Sequence, residues 1–321
     1  MKVVLVAWLA CGLLPFAATA CAGDWSVDRS EGAVLVSLEG QPVVEYAFAD
    51  EAIPRPYFAS LRTPAGVQVT RNHPPVAGED RMDHPDYHPG VWLAFGDLSG
   101  ADNWRLEASV EHVRFIQEPT VGAEAGSVVW AVENRYSDST GETICRSVAR
   151  HTVRLAPEGV LVTYDVTFFG DSAFAFGDQE EMGLGVRVAT PLRVEEGGPD
   201  PAPPGAGQIV ADGGRRGSAE VWGKPADWVD YRGELHGEPA GLAIFCHPGN
   251  FRPSRMHARD YGFICANPFS LAAFDAGESL RTTVKPGESL RLRYAVLAHG
   301  GERLTDERLE SAWRAYAEDC P

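Results

Sequence analysis

Positive charge is what this 321-residue chain is shortest of: 28 lysines and arginines stand against 45 aspartates and glutamates, a formal net charge of −17. Nucleic acids and anionic membrane surfaces select basic patches, so the balance argues against both as partners. After the first twenty residues no stretch reaches ~18 uninterrupted apolar residues, so the mature chain has no transmembrane segment. Cysteine is sparse, six in all and none at CxxC spacing, which argues against a thiolate zinc site. A Gly-rich phosphate loop, a GxSxG elbow and an HExxH helix are missing. Gly183-Leu184-Gly185 lacks a third glycine in the right place, so a dinucleotide site is unsupported. Strands do not alternate with long amphipathic helices, which disfavours a doubly wound α/β fold.

What the chain does have is turns. Glycine and proline number 34 and 23, while hydrophobic content is 44% and charged content 23%, as in soluble globular proteins. Between the turns, residues alternate with period two. Val160, Val162, Tyr164, Val166 and Phe168 share one face; Val128, Trp130 and Val132 share another; Leu290, Leu292, Tyr294 and Val296 oppose Arg291 and Arg293. Such segments are half-buried antiparallel strands. One helix is predicted near the end, with Leu309, Ala312, Trp313 and Tyr316 on one stripe and Thr305 as N-cap, packing at the sandwich edge. The expectation is all-β: one large antiparallel β-sandwich, up to supersandwich size, over residues 21–321 with a C-terminal helix. Glu196–Gly217, rich in glycine and proline, reads as a long loop interrupting it.

Residues 1–20 read as a signal peptide: Met1-Lys2, an apolar run from Val3 to Ala18, then small residues at Ala18-Thr19-Ala20. The protein is therefore expected to be exported: periplasmic, cell-surface or secreted. Cleavage before Cys21 would leave that residue free to carry a lipid anchor. Cys145, Cys246, Cys265 and Cys320 then remain, as buried thiols or as one or two disulfides whose pairing stays open.

Histidines gather in two turn-rich, aromatic segments. The first runs from Asp83 through His84, Tyr87 and His88 to Trp92, with Trp104 downstream; the second holds His247, Asn250 and Arg252, then His257, Arg259 and Tyr261. Imidazole suits proton transfer near neutral pH and also metal binding. Pro85 and Pro89 exclude a helical zinc spacing for His84 and His88, but a mixed site of His88, His247 and His257 stays open, and the sequence leaves metal and cofactor unknown. Asp178-Gln179-Glu180-Glu181, with Arg187 downstream, offers carboxylates for acid–base work. Trp228-Val229-Asp230-Tyr231 is a further aromatic–acid patch. The competing reading of all these residues is structural: histidines tying loops to carbonyls, tryptophans filling core.

Four stretches resemble the bacterial PmoA-like family, labelled "methane oxygenase PmoA". They are Pro54–Phe58 with Thr63–Val67, His84–Trp92 with Gly96-Asp97 and Trp104, Asp178–Arg187, and Gly241–Phe269. His88, Glu181, His247, Asn250, His257 and Arg259 match the family pattern; Tyr87, Pro89 and Met256 depart from it. The resemblance implies an exported β-sandwich of a kind often found with sugar-processing genes. The expected function is action on a carbohydrate or an oxidised sugar derivative, as lyase, epimerase or hydrolase. His88 and His257 would be the acid–base pair, assisted by Glu181. Trp92, Trp104 and Tyr87 would stack on a small-molecule or glycan ligand that His247, Asn250, Arg259 and Arg187 orient. Two rivals stand beside it: a non-catalytic glycan-binding or surface protein, and the metal-dependent oxygenase of the family label.

Overall fold

A computed structural model describes residues 23–122, 126–194 and 205–319. Residues 1–20, read above as a signal peptide, and Cys21 and Cys320 lie outside these residues. The chain opens with β1 (Trp25–Arg29), β2 (Ala33–Leu38), β3 (Gln41–Ala47), β4 (Tyr57–Ala59) and β5 (Val91–Phe95). A meander of long strands follows: β6 (Val110–Val121), β7 (Ser127–Ser137), β8 (Thr143–Ala156) and β9 (Gly159–Phe169). Then come β10 (Phe174–Phe176), β11 (Met182–Arg187), β12 (Gln208–Ala211), β13 (Arg215–Arg216) and a short helix α1 (Gly217–Val221). The chain continues with β14 (Trp228–Leu235), β15 (Glu238–Cys246), β16 (Arg255–Arg259) and β17 (Phe263–Asn267). It closes with β18 (Thr282–Val284), β19 (Leu290–Gly300) and helix α2 (Asp306–Asp319).

Two large sheets result, in the orders β1-β2-β3-β4-β5-β11-β17-β16 and β13-β12-β14-β15-β19-β9-β8-β7-β6, with β10 and β18 as a separate ribbon. Every pairing between these strands is antiparallel. The sheets pack face to face through one apolar core. The eight-stranded sheet contributes Phe58, Leu93, Phe95, Leu184 and Val186, and the nine-stranded sheet Val162, Tyr164, Ile244 and Val296. The predicted stripe on β9 is this inward face: Val160, Val162, Tyr164, Val166 and Phe168 are all buried. The all-β sandwich expected from the alternation is the fold observed.

Helix α2 begins as predicted, the Arg308 N–H donating to Thr305 Oγ1 at 3.3 Å. It lies across the outer face of the nine-stranded sheet rather than at an edge. Leu309 and Tyr316 bury themselves there with Leu161, Trp228, Phe245 and Leu297. The reason is that β15 and β19 are apolar on both faces, so their outer face also demands cover. The predicted loop over 196–217 is corrected as well. Gln208–Ala211 and Arg215–Arg216 form β12 and β13, the former pairing with β14 through Ile209↔Tyr231 and Val210↔Asp230; residues 196–204 lie outside the described set. Cys145, Cys246 and Cys265 are buried free thiols. Among the described residues no helix is long and apolar enough to cross a membrane.

Candidate functional site

Strand side chains alternate, so the eight-stranded sheet has an outward face as well as its core face. Register aligns Trp92 on β5, Gly185 on β11, Cys265 on β17 and His257 on β16 in one row of that face. Arg187, Phe263 and Arg259 make the next row. Gly185 is what makes the surface flat: a Cβ there would lie 2.6 Å from the Trp92 ring and 2.7 Å from Trp104. The two indoles pack against each other, centroids 5.3 Å apart, and neither is exposed. They floor the site. The expectation that Trp92 and Trp104 stack on a ligand is corrected, because a fully buried ring offers no free face.

The histidine loop lies over this floor, held by two buried arginines. Arg71 donates to the carbonyls of Arg81, Asp83, His84 and His88 at 2.6–3.2 Å. Arg55 donates to those of Asn103, Trp104 and Tyr87. Carbonyls gathered around a guanidinium satisfy its donors and immobilise the loop. Arg187, predicted to bind substrate, is fully buried and grips Asp83 bidentately, at 2.6 and 2.9 Å. Asp83 in turn lies 2.9 Å from His84 Nδ1.

The two histidines of this loop have different fates. His88 is fully buried, its ring sandwiched between His84 and Phe263 with centroids 4.8 Å from each. Neither of its ring nitrogens has a partner. Burial, reinforced by the Arg187 charge, pushes its pKa well below the ordinary imidazole range, so it is neutral. A sealed, neutral His88 cannot reach a ligand as expected. His84 is the one at the surface: its side chain is 34% exposed, its backbone is left-handed at φ 48°, and its ring stacks on Tyr261 at 5.7 Å.

The acidic loop arrives from the other side. Asp178 accepts backbone N–H bonds from Leu271, Ala272, Ala273 and Leu280, pinning the loop to the segment after β17. The buried Asn267 amide donates to the Gln179 and Glu180 carbonyls at 2.7 and 3.1 Å. Glu180 then bridges two predicted residues, its Oε2 lying 3.1 Å from an Arg259 terminal nitrogen and 3.3 Å from His257 Nε2. The second contact is within ion-pair range but off hydrogen-bond alignment, since His257 has no hydrogen-bond partner on either nitrogen. Burial, and then the Arg259 charge, push the His257 pKa down to about 3, so this imidazole too is neutral. Glu181 pairs with Arg105, which also holds Asp102 at 2.7 Å. Burial raises the Glu181 carboxyl above the ordinary carboxylate range; Arg105 opposes this without cancelling it, and Asp102 and Glu180 add to it. Tyr87 meets the His84 ring edge-on at 5.2 Å, and Tyr261 stacks on it, so the two tyrosines gather about His84.

Beside this cluster lies an open recess of about 380 Å³, walled by Trp222, Arg259, Asp260 and Tyr261. The face therefore brings together Glu181, His257, Arg259, Tyr87 and the supporting Arg187. It does not include His247 or Asn250, which is a further correction. His247 Nε2 lies 3.2 Å from the Ala317 carbonyl in α2, and its Nδ1 accepts the Gly249 N–H. Asn250 brackets β19, accepting from the Arg293 N–H and donating to its carbonyl at 2.7 and 3.0 Å. Both are structural ties on the nine-stranded sheet, so the mixed set of His88, His247 and His257 is not assembled. Among the described residues no group of three His, Cys, Asp or Glu side chains is placed to hold a metal. Trp228 and Asp230 are core as well, the latter 2.9 Å from His299 Nε2.

Sequence reasoning missed His84 as the exposed imidazole, Glu180 and Arg105 as carboxylate and guanidinium of the cluster, and Trp222 and Tyr261 as its accessible aromatics. The adjacency of Asp83 and His84 was a usable signal. Nothing near Trp222 in the sequence marked it out.

The geometry can be set beside known proteins. No curated protein matches the chain in sequence. Its structure is similar to galactose 1-epimerase from Lactobacillus acidophilus, at 9% identity and a TM-score of 0.43, covering 87% of this chain and 100% of that one. A galactose mutarotase-like protein from Lactobacillus casei is similar at 11% identity and a TM-score of 0.35, covering 86% and 100%. A TPR-domain containing protein from Parabacteroides distasonis is similar at 9% and 0.45, covering 85% of this chain and 48% of that one. These are likenesses of fold. A family model spans residues 33–314, and by that match the chain belongs to a family of unknown function, DUF6807.

Proposed function

We propose that this is an exported, PmoA-like protein that acts on a carbohydrate or an oxidised sugar derivative by acid–base proton transfer. Glu181 is the acid and His84 the base. The observation that carries this reading is that Glu181, just before β11, and His84, on the loop that Arg187 of β11 holds, both reach the surface on that strand's side of the sheet, each with its own tuning partner. Asp83 on Nδ1 selects the tautomer that leaves His84 Nε2 as a free acceptor. Glu181, raised by burial, keeps its proton further into the pH range than an ordinary carboxyl. Lyase, epimerase and hydrolase reactions alike need a donor and an acceptor about one reacting centre. Arg259 supplies a guanidinium for a substrate carboxylate or developing oxyanion; His257, buried with both ring nitrogens sealed, does not reach a ligand in the way expected of it. Tyr87 and Tyr261 supply the ring faces once expected of Trp92 and Trp104.

One observation favours the non-catalytic alternative: both candidate carboxylates are already paired, Glu180 with Arg259 and Glu181 with Arg105. A single experiment separates the readings. Saturation-transfer NMR of the mature protein against a panel of aldohexoses and hexuronic acids finds the ligand, and real-time NMR follows its conversion. Glu181→Gln and His84→Ala are each expected to slow conversion by about 10²-fold or more. Wild-type rates in both variants would overturn the assignment; binding with no conversion in the parent protein would select the glycan-binding reading.

A further inference from the structure

The recess beside the cluster has no part in the proton transfer just described. We infer that it is a second sugar subsite, so that the substrate is an oligosaccharide or glycoside with one ring over Glu181 and His84 and the next against Trp222. This rests on the carbohydrate reading above.

Three observations carry it. The first is continuity. Tyr261 belongs to both places: its ring stacks nearly parallel, 13°, on His84 and also walls the recess. Arg259 does the same from the other side, walling the recess while 3.1 Å from Glu180. A ligand leaving the cluster along these two residues enters the recess directly. The second is chemistry. Trp92, Trp104, Trp130 and Trp228 are all buried, whereas Trp222 is only half-buried and borders open space. Aromatic faces with a few charged hydrogen-bonding groups around them match a sugar ring, which has apolar C–H faces and a polar edge. Arg259 provides donors, Asp260 a carboxylate acceptor, and Ser218 and Ala219 add small side chains to the lining. The third is rigidity. The Trp222 backbone N–H donates to the Ser218 carbonyl at 2.8 Å, its backbone also bridges to Met256 on β16, and its ring meets Phe274 edge-on at 5.4 Å. A platform already held in place loses little freedom when a ligand settles on it. The volume, about 380 Å³, lies within the range of small-molecule sites.

Calorimetric titration of the turnover-deficient Glu181→Gln protein tests this with matched probes: glucose against cellobiose and maltose, and galacturonate against digalacturonate. At least one disaccharide is expected to bind about tenfold more tightly than its monosaccharide. Trp222→Ala should erase that gain while leaving monosaccharide affinity within about twofold, and Trp222→Phe should restore most of it. A monosaccharide that binds as tightly as its disaccharides, or an equal loss for both in Trp222→Ala, overturns the subsite and leaves the acid–base reading standing. Absence of binding by every probe, in this protein and in the parent, overturns both.

Discussion

Asp83 sits among three guanidinium groups, bidentate with Arg187, 3.2 Å from Arg81 and 3.7 Å from Arg71. Burial works against its charge, but the His84 and Arg187 hydrogen bonds and the Arg187 and Arg71 charges outweigh it and hold the carboxyl far below the ordinary range. The carboxylate stays ionised at any working pH, and His84 therefore always has its orienting partner. The buried histidines behave differently, and they make stability depend on pH. His151, ringed by Tyr46, Phe58, Trp130 and Tyr164, is pushed down to about 4, and His257 to about 3. Unfolded, each takes up a proton near pH 6.5; folded, neither does until far lower. The unfolded state thus binds more protons in that window, so stability is full above it and falls with added acid. At pH 5 each group costs about 2 kcal/mol. Replacing His151 with Phe should shrink the difference in unfolding free energy between pH 7.5 and 5.0, measured in urea, by about 2 kcal/mol. An undiminished difference would show that His151 is not neutral in the fold.

At the scale of elements, β11 carries the greatest constraint. Its Gly185 lies under both indoles of the floor, and its Arg187 anchors the histidine loop. Gly185→Ala should displace Trp92 and Trp104 at a cost of about 1–3 kcal/mol, read as a lower urea midpoint. A midpoint equal to the parent's would mean the floor is looser than its packing shows. Elements of this kind are only partly legible in a sequence. Strand β9 announces itself, because its inner face is apolar and Asp165 and Thr167 on the other remain half-exposed. Helix α2 announces itself through its stripe and its Thr305 cap. Where α2 docks is not announced, since that depends on the outer face of β15 and β19 being apolar too. Strands β12 and β13 were hidden by the glycines and prolines around them. The site suffered most. Which histidine of His84 and His88 is exposed is decided by stacking between loop and sheet, and the burial of Trp92 and Trp104 by a glycine on the adjacent strand that lies far away in sequence.

At the scale of the molecule, the two sheets share one core and differ in what covers their outer faces. The nine-stranded sheet is covered by an apolar helix face, which leaves His247 and Asn250 as structural ties. The eight-stranded sheet is covered by polar loops, stapled down by Arg55, Arg71 and Asn267, that carry Glu181 and His84. The net charge of −17 gives no general attraction for anions, so recognition of an acidic sugar would rest on local guanidinium groups such as Arg259. On the proposed reading, function falls to one outer face and support to the other. The most direct test is a crystal structure of the Glu181→Gln protein soaked with the tightest-binding sugar of the panel. The prediction is a sugar hydroxyl within hydrogen-bond reach of both residue 181 and His84 Nε2. A sugar seated against α2, or one touching neither residue 181 nor His84, would contradict it.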